Sequence, residues 1–330
     1  MTTMLVNRVT NIDFLKQGRK AAVKKVVQGL LTPVIGIAVF LILWSFTAQT
    51  IDTSLGKFPG PAAVWEQFDG LYTEHTEERA KEAAFYQRQE KRNEKRLAED
   101  PTYIPKTRAY TGKETFVDQI GTSLMTVMSG FLLAAFVAIP LGIAIGLSET
   151  LNKAANPIIQ VFKPVSPLAW LPLVTMVISA VYATPDPVIP KSFLVSVVTV
   201  TLCCLWPMVI NTSVGVASLD NDLKNVSRVL RLPTMTHIKK IVLPASVPMI
   251  FTGMRLSLGI AWMVLIAAEM LSQNPGLGKF VWDEFQNGSS ESLSRIMAAI
   301  VVIGLIGFLL DRMMLQIQRY ASWDKTSDIR

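Results

Sequence analysis

The chain has 330 residues, of which half are hydrophobic and 17% charged, with a net charge of +7 at neutral pH; its mean hydropathy is +0.37. Soluble domains carry about a quarter charged residues, so composition excludes an ordinary soluble fold. The basic balance is not a nucleic-acid signal, because the Lys and Arg residues fall between long apolar runs rather than on a soluble domain.

Residues 1–30 form a tail with Arg8, Lys16, Arg19, Lys20, Lys24 and Lys25. Ile12, Phe14 and Leu15 among these bases fit either a segment lying along the membrane surface or an ordinary basic anchor. A first membrane helix and the start of an external loop occupy 31–69. The apolar run there is too long for a cleaved signal peptide, and no small-x-small site follows it. Uncharged stretches then recur between Asp118 and Glu149, Lys163 and Asp186, and Lys191 and Asp220. Each exceeds the roughly 18–20 residues that cross about 30 Å of hydrocarbon. Two weaker stretches are 247–270, interrupted by Arg255, and 293–314, with Arg295, Asp311 and Arg312 near its ends. The expectation is an all-α polytopic membrane protein with about six spans.

A soluble insert is expected at 70–113, in which ERAKEAAFYQRQEKRNEKRLAED reads as a solvated helix. Glu77 and Lys81 form a favourable i,i+4 pair there, and Pro101 and Pro105 end it. The insert is either solvated decoration or a platform for an external partner. The core is expected at 114–317, with a polar loop at 219–246 and a tail at 318–330. Lys and Arg are dense in the N-terminal tail and after the fourth span (Lys224, Arg228, Arg231, Lys239, Lys240) but sparse in the loops holding Lys191 and Lys279. Both termini and the polar loop are therefore expected in the cytoplasm, and the insert outside.

The third span opens with Pro164, Pro167 and Pro172 within nine residues, which forbids a straight helix at its start. Irregular backbone at membrane depth must be satisfied by protein or by a watery passage. In the fourth span Trp206-Pro207 precedes Asn211, whose amide either bonds across helices or lines a path. In the fifth, Arg255, Trp262 and Glu269 stand seven residues apart, nearly two turns, and so share one stripe. One reading makes these five residues a translocation path, since ionisable groups inside a membrane face cavities or partners. In the other, Arg255 snorkels, Trp262 packs and Glu269 sits at the outer interface.

Catalytic chemistry is nearly absent. His75 and His237 fall on opposite sides of the membrane, and Cys203-Cys204 are adjacent, a spacing that suits neither zinc nor an ordinary disulfide. No phosphate-binding G-x-x-x-x-G-K-[ST] occurs, and Gly276-Leu277-Gly278-Lys279 reads only as a turn. No catalytic, cofactor or metal residue is expected on the chain.

The loop NVSRVLRLPTMTHIKKIVLP, 225–244, resembles the loop by which an ATP-driven importer's permease touches its ATPase. In that family it runs Glu-Ala-Ala, three residues, Gly, nine residues, Ile-x-Leu-Pro. Here Ile241, Leu243 and Pro244 match, whereas Asn225, Val226 and Ser227 replace Glu-Ala-Ala and Arg231 replaces Gly. PLAWLPL at 167–173, GMRLSLGIAWMVLIAAEM at 253–270 and PGLG at 275–278 resemble permease subunits of nitrate, sulfonate and taurine importers. NVSRVLRL at 225–232 and LLDRMM at 309–314 are closer to the nitrate, bicarbonate and cyanate branch.

The resemblance implies a type I importer permease in the cell inner membrane. It implies a second copy of the chain, two ATPase subunits carrying Mg-ATP, and an external substrate-binding protein. It also implies that the coupling element comprises Asp222, Asn225, Val226, Ser227, Arg228, Val229, Leu230 and Arg231. Val226, Val229 and Leu230 would fill a groove on the ATPase, with Arg228 and Arg231 making polar contacts. The implied cargo is a small anion, nitrate or nitrite first, with bicarbonate, cyanate and taurine or alkanesulfonates as alternatives. An ATP-independent channel or a membrane-embedded enzyme is the reading of another class. The enzyme would need an acid or base beside Glu269 that the sequence does not offer.

Overall fold

The structure is a computed structural model that describes residues 31–321 apart from 54–55, 101, 106, 185–186 and 290. The basic tail and its Ile12, Phe14 and Leu15 lie outside these residues, as do residues 322–330. Residues through Glu66 and those from Gln67 onward form two compact units.

In the first unit, helix α1 (Leu31–Thr50) is apolar and largely exposed, as a lipid-facing span must be. Trp44 Nε1 donates to the Pro59 carbonyl at 3.1 Å, and two-residue strands β1 (Asp52–Thr53) and β2 (Gly56–Lys57) pair antiparallel. Helix α2 then runs Pro61–Glu99, 39 residues, and belongs to the second unit from Gln67 onward. It begins nine residues before the expected insert boundary at 70, because Pro61 is pre-set for a first helical position where its missing N–H costs nothing.

In the second unit the core is α3 (Phe116–Leu147), α6 (Lys191–Ala217) and α9 (Leu243–Ser272). Thr115 and Asp118 close a capping box at the start of α3. Cβ atoms on Gly142 and Gly146 would fall 2.6 Å from Thr212 and Val216, so glycine is what lets α3 approach α6 this closely. Ser257 Oγ on α9 donates to the Cys204 carbonyl at 2.6 Å. Both cysteines are free.

The third uncharged run departs from a simple span. It holds α5 (Pro167–Val181), which is preceded by α4 (Glu149–Phe162) and bent 99° from it at the Pro164 and Pro167 break that the sequence marks. Among the described residues five helices are long and apolar enough to cross a membrane, and six spans result if this pair counts as one.

The polar loop is also shorter than expected. Helix α7 (Asn221–Val229) is followed by α8 (Thr234–His237), a π turn at Ile238–Val242, and α9, and these last three join into one 39-residue rod, Thr234–Ser272. Ile241, Leu243 and Pro244 thus lie on the rod rather than in a loop. The wide π turn gives room where Pro244 would otherwise crowd the carbonyl four residues back. After a turn at 273–276 come α10 (Leu277–Asn287) and α11 (Ser292–Ala321), which runs past the expected boundary at 317.

Candidate functional site

At one end of the bundle, α7 has two distinct faces. Leu223, Val226, Val229 and Leu230 recur at helical spacing and point outward, with Val226, Val229 and Leu230 49%, 82% and 62% exposed. Asp220 caps the helix by accepting from the Asp222 amide at 3.1 Å. Ser227 is buried on the opposite face. That face carries Lys224, Arg228 and Arg231, which border a cavity of about 430 Å³ together with Leu219 and His237. Asn225 is exposed. The apolar stripe is thus separate from the cationic one, and Arg228 and Arg231 are exposed at the rim of this cavity.

The helix ends in a Schellman turn. Leu232 N–H donates to the Ser227 carbonyl and Arg231 N–H to the Arg228 carbonyl, both at 3.1 Å. Arg231 occupies the left-handed position of this turn at φ 43°, the place where glycine is usual and where the resembling family has it. A side chain with a Cβ there costs about 1–2 kcal/mol.

The five proposed path residues fall in separate settings. Arg255 forms a two-pronged pair with Asp311 on α11, at 2.6 and 2.9 Å, so the Leu-Leu-Asp-Arg run near the end of the chain supplies its counter-ion. Trp262 is buried and donates from Nε1 to the Ile303 carbonyl at 2.9 Å. Glu269 is fully enclosed, accepting from Ser123 Oγ at 2.8 and 2.9 Å and from Gly278 N–H at 3.0 Å. It has the partner that local sequence did not reveal.

Ser123 in turn accepts from Leu277 N–H at 2.9 Å. The Gly276-Leu277-Gly278-Lys279 turn is therefore pinned to α3 through this pair. A Cβ on Gly278 would lie 2.1 Å from the Ile266 carbonyl, so no other residue fits. Trp206 stacks on Phe162 at 6.1 Å and 9°, and Phe162 in turn stacks on Trp170 at 5.8 Å. Asn211 packs against Gly253 of α9 and bonds within its own helix. Its Nδ2 donates to the Pro207 carbonyl at 2.8 Å within α6. The fifth-span stripe thus makes three separate contacts within the chain.

A further cavity lies between α4 and α6. A space of about 820 Å³ is bordered by Asn152, Asn156, Gln160 and Lys163 of α4 and its end, and by Ser213 of α6. Sequence reasoning passed over this face, although Asn152, Asn156, Gln160 and Lys163 recur at three- and four-residue spacing and define one side of a helix.

At the opposite end, α2 is fastened to the core. Arg295 of α11 grips Glu74 with two bonds of 2.6 and 3.0 Å, reaches Glu284 of α10 at 2.7 Å, and lies over the Phe280 ring. The Arg295 guanidinium holds the Glu74 carboxyl below the usual range. Arg79 reaches Asp118 at 3.2 Å, and His75 Nδ1 meets Thr115 Oγ1 at 2.7 Å. The expected Glu77–Lys81 pair is replaced by Lys81–Glu78 at 3.3 Å. Glu78 also accepts from Tyr110 Oη at 2.7 Å, tying down the chain that returns along α2. Among the described residues no cluster of His, Cys, Asp or Glu could hold a metal ion.

Residues 130–321 match the family described as binding-protein-dependent transport system inner membrane component. The nitrate import permease protein of Leptolyngbya laminosa is 40% identical over 58% of this chain and 64% of its own length. The bicarbonate transport system permease protein of Synechococcus elongatus is 33% identical over 88% of this chain and 89% of its own. Among solved structures, an inward-facing MetNI methionine ABC transporter chain aligns with TM-score 0.54 at 13% identity, covering 63% of this chain and 96% of that one. At that identity the likeness is one of fold.

Proposed function

Because the chain belongs to the family of binding-protein-dependent transport system inner membrane components, we propose that it is the membrane-spanning permease of an ATP-driven importer that moves a small inorganic oxyanion, nitrate ahead of bicarbonate. The observation that carries the coupling role is the outward stripe of Val226, Val229 and Leu230 on a short capped helix between two spans. A soluble-facing helix keeps such a stripe exposed only where another protein covers it. We read that protein as an ATPase subunit carrying Mg-ATP, in two copies against two permeases, with an external binding protein delivering the anion. The α7 end then faces the cytoplasm, as the density of Lys and Arg there requires. Nitrate stands first because the nitrate permease relatives reach 40% identity, against 33% for the bicarbonate ones.

The test uses the assembled complex with its binding protein in proteoliposomes. Uptake of isotope-labelled nitrate and of bicarbonate is measured beside ATP hydrolysis. Leu230→Asp places a charge in the contact, and it is expected to abolish ATP-driven uptake and substrate-stimulated hydrolysis while the protein inserts normally. Wild-type rates in Leu230→Asp would overturn the coupling role. Uptake of bicarbonate without nitrate would overturn the cargo. A complex containing a single copy of this chain by mass would overturn the dimer.

A further inference from the structure

The inward face of α7 is unexplained by its outward one. Lys224, Arg228, Arg231 and His237 gather around one cavity of about 430 Å³, and no carboxylate borders it. Among the described residues Arg228 and Arg231 form no ion pair, and Lys224 reaches only the Ala217 carbonyl, at 3.4 Å. His237 Nδ1 is shielded from solvent without a hydrogen-bond partner. Arg231 is held left-handed at φ 43°, a conformation that costs it free energy and that glycine would adopt freely. Like charges crowd the rim of this cavity, where Arg228 and Arg231 are exposed, and the unsatisfied imidazole nitrogen lies beside them. An oxyanion relieves the repulsion and satisfies the nitrogen together, and arginine forks match its geometry.

We infer that the cavity behind α7 is an anion seat, taking a small oxyanion or the phosphate of an anionic lipid on Arg228, Arg231, Lys224 and His237. Either source fits the walls. Leu219 and Val216 supply an apolar side where α6 ends, and the cations supply the charged one. The seat lies behind the helix assigned to coupling and shares no lining residue with the cavity between α4 and α6. Its binding does not depend on the coupling role. Its consequence does, since an occupied seat would fix α7 against the bundle and set how readily the helix moves.

The test compares wild type with an Arg228→Gln/Arg231→Gly double variant and with Leu230→Asp, each as the purified full complex without nucleotide. The Gly removes the guanidinium while suiting the left-handed turn, so the double variant keeps its fold. In one arm, thermal stabilisation is titrated with inorganic phosphate, nitrate or bicarbonate against chloride at constant ionic strength. In the other, nanodiscs with and without phosphatidylglycerol are compared, and retained lipid is counted by native mass spectrometry. Wild type and Leu230→Asp should both bind, and the double variant should bind at least about tenfold more weakly, since each lost cation removes a charge-assisted hydrogen bond. A response confined to the salts assigns a free anion, and one confined to the lipid assigns a headgroup. Equal binding by wild type and double variant in both arms would overturn the seat. Loss of transport in Leu230→Asp with binding intact concerns the coupling role alone.

Discussion

Replacing Glu269 separates a structural carboxylate from one that meets the cargo. The side chain is fully enclosed and accepts from Ser123 Oγ and Gly278 N–H. Glu269→Ala leaves both donors buried without an acceptor, at about 1–3 kcal/mol each, so about 2–6 kcal/mol in total. For a core of this size that corresponds to a fall in Tm of roughly 5–20 °C. Glu269→Gln keeps one acceptor oxygen but turns an NH₂ toward the other donor, so it should lose about half as much. The assay is thermal unfolding of the purified protein in detergent, followed by tryptophan fluorescence, with transport measured in parallel. The expected order is wild type, then Gln, then Ala, with transport falling in step with folded protein. An Ala variant that unfolds with wild type yet transports poorly would refute this reasoning and return Glu269 to the path.

Arg231→Gly alone should raise the unfolding temperature, because it relieves about 1–2 kcal/mol of left-handed strain; no change or a fall in differential scanning fluorimetry would contradict the turn. Glu74 has its carboxyl lowered by Arg295. The stabilisation is therefore fully present above the unfolded value of about 4.3 and is lost as pH falls through the lower folded value. The stability difference between wild type and Glu74→Gln should be flat above about pH 5 and shrink in stronger acid, and a difference that grew on acidification would contradict the pair. Single cysteines at Glu90 and Thr236 should label from opposite sides of the membrane with an impermeant thiol reagent; labelling of both from one side would sink the proposed orientation.

The long spans were legible because hydropathy is a local sum, and α3, α6 and α11 fall where uncharged runs place them. The break at Pro164 and Pro167 was legible for the same reason, since proline acts on its own backbone, although Pro172 lies within α5. The departure of Arg231 from the family glycine was visible too, although not that Arg231 would take up the left-handed conformation itself. What failed was pairing over distance. Glu269 finds Ser123 from 146 residues away, and Arg255 finds Asp311 from 56, and no periodicity encodes such partners. The stripe of Arg255, Trp262 and Glu269 lies on one helix at the centre of a bundle, where each residue meets a partner from another element. The fastening of α2 by Arg295 to Glu74 depends on the same kind of long-range meeting.

The rod from Thr234 to Ser272 holds 39 residues, about 58 Å at about 1.5 Å per residue. That is nearly twice the roughly 30 Å of hydrocarbon. A tilt of about 5° over such a length sweeps the far tip through about 5 Å, close to one helical turn. The tip at Ser272 adjoins Glu269 and its grip on the turn at Gly278, and the near end follows directly from α7. A nudge too small to unseat any side chain at the near end thus arrives at the other as a displacement wide enough to move a helix off its neighbour, with no hinge required between them.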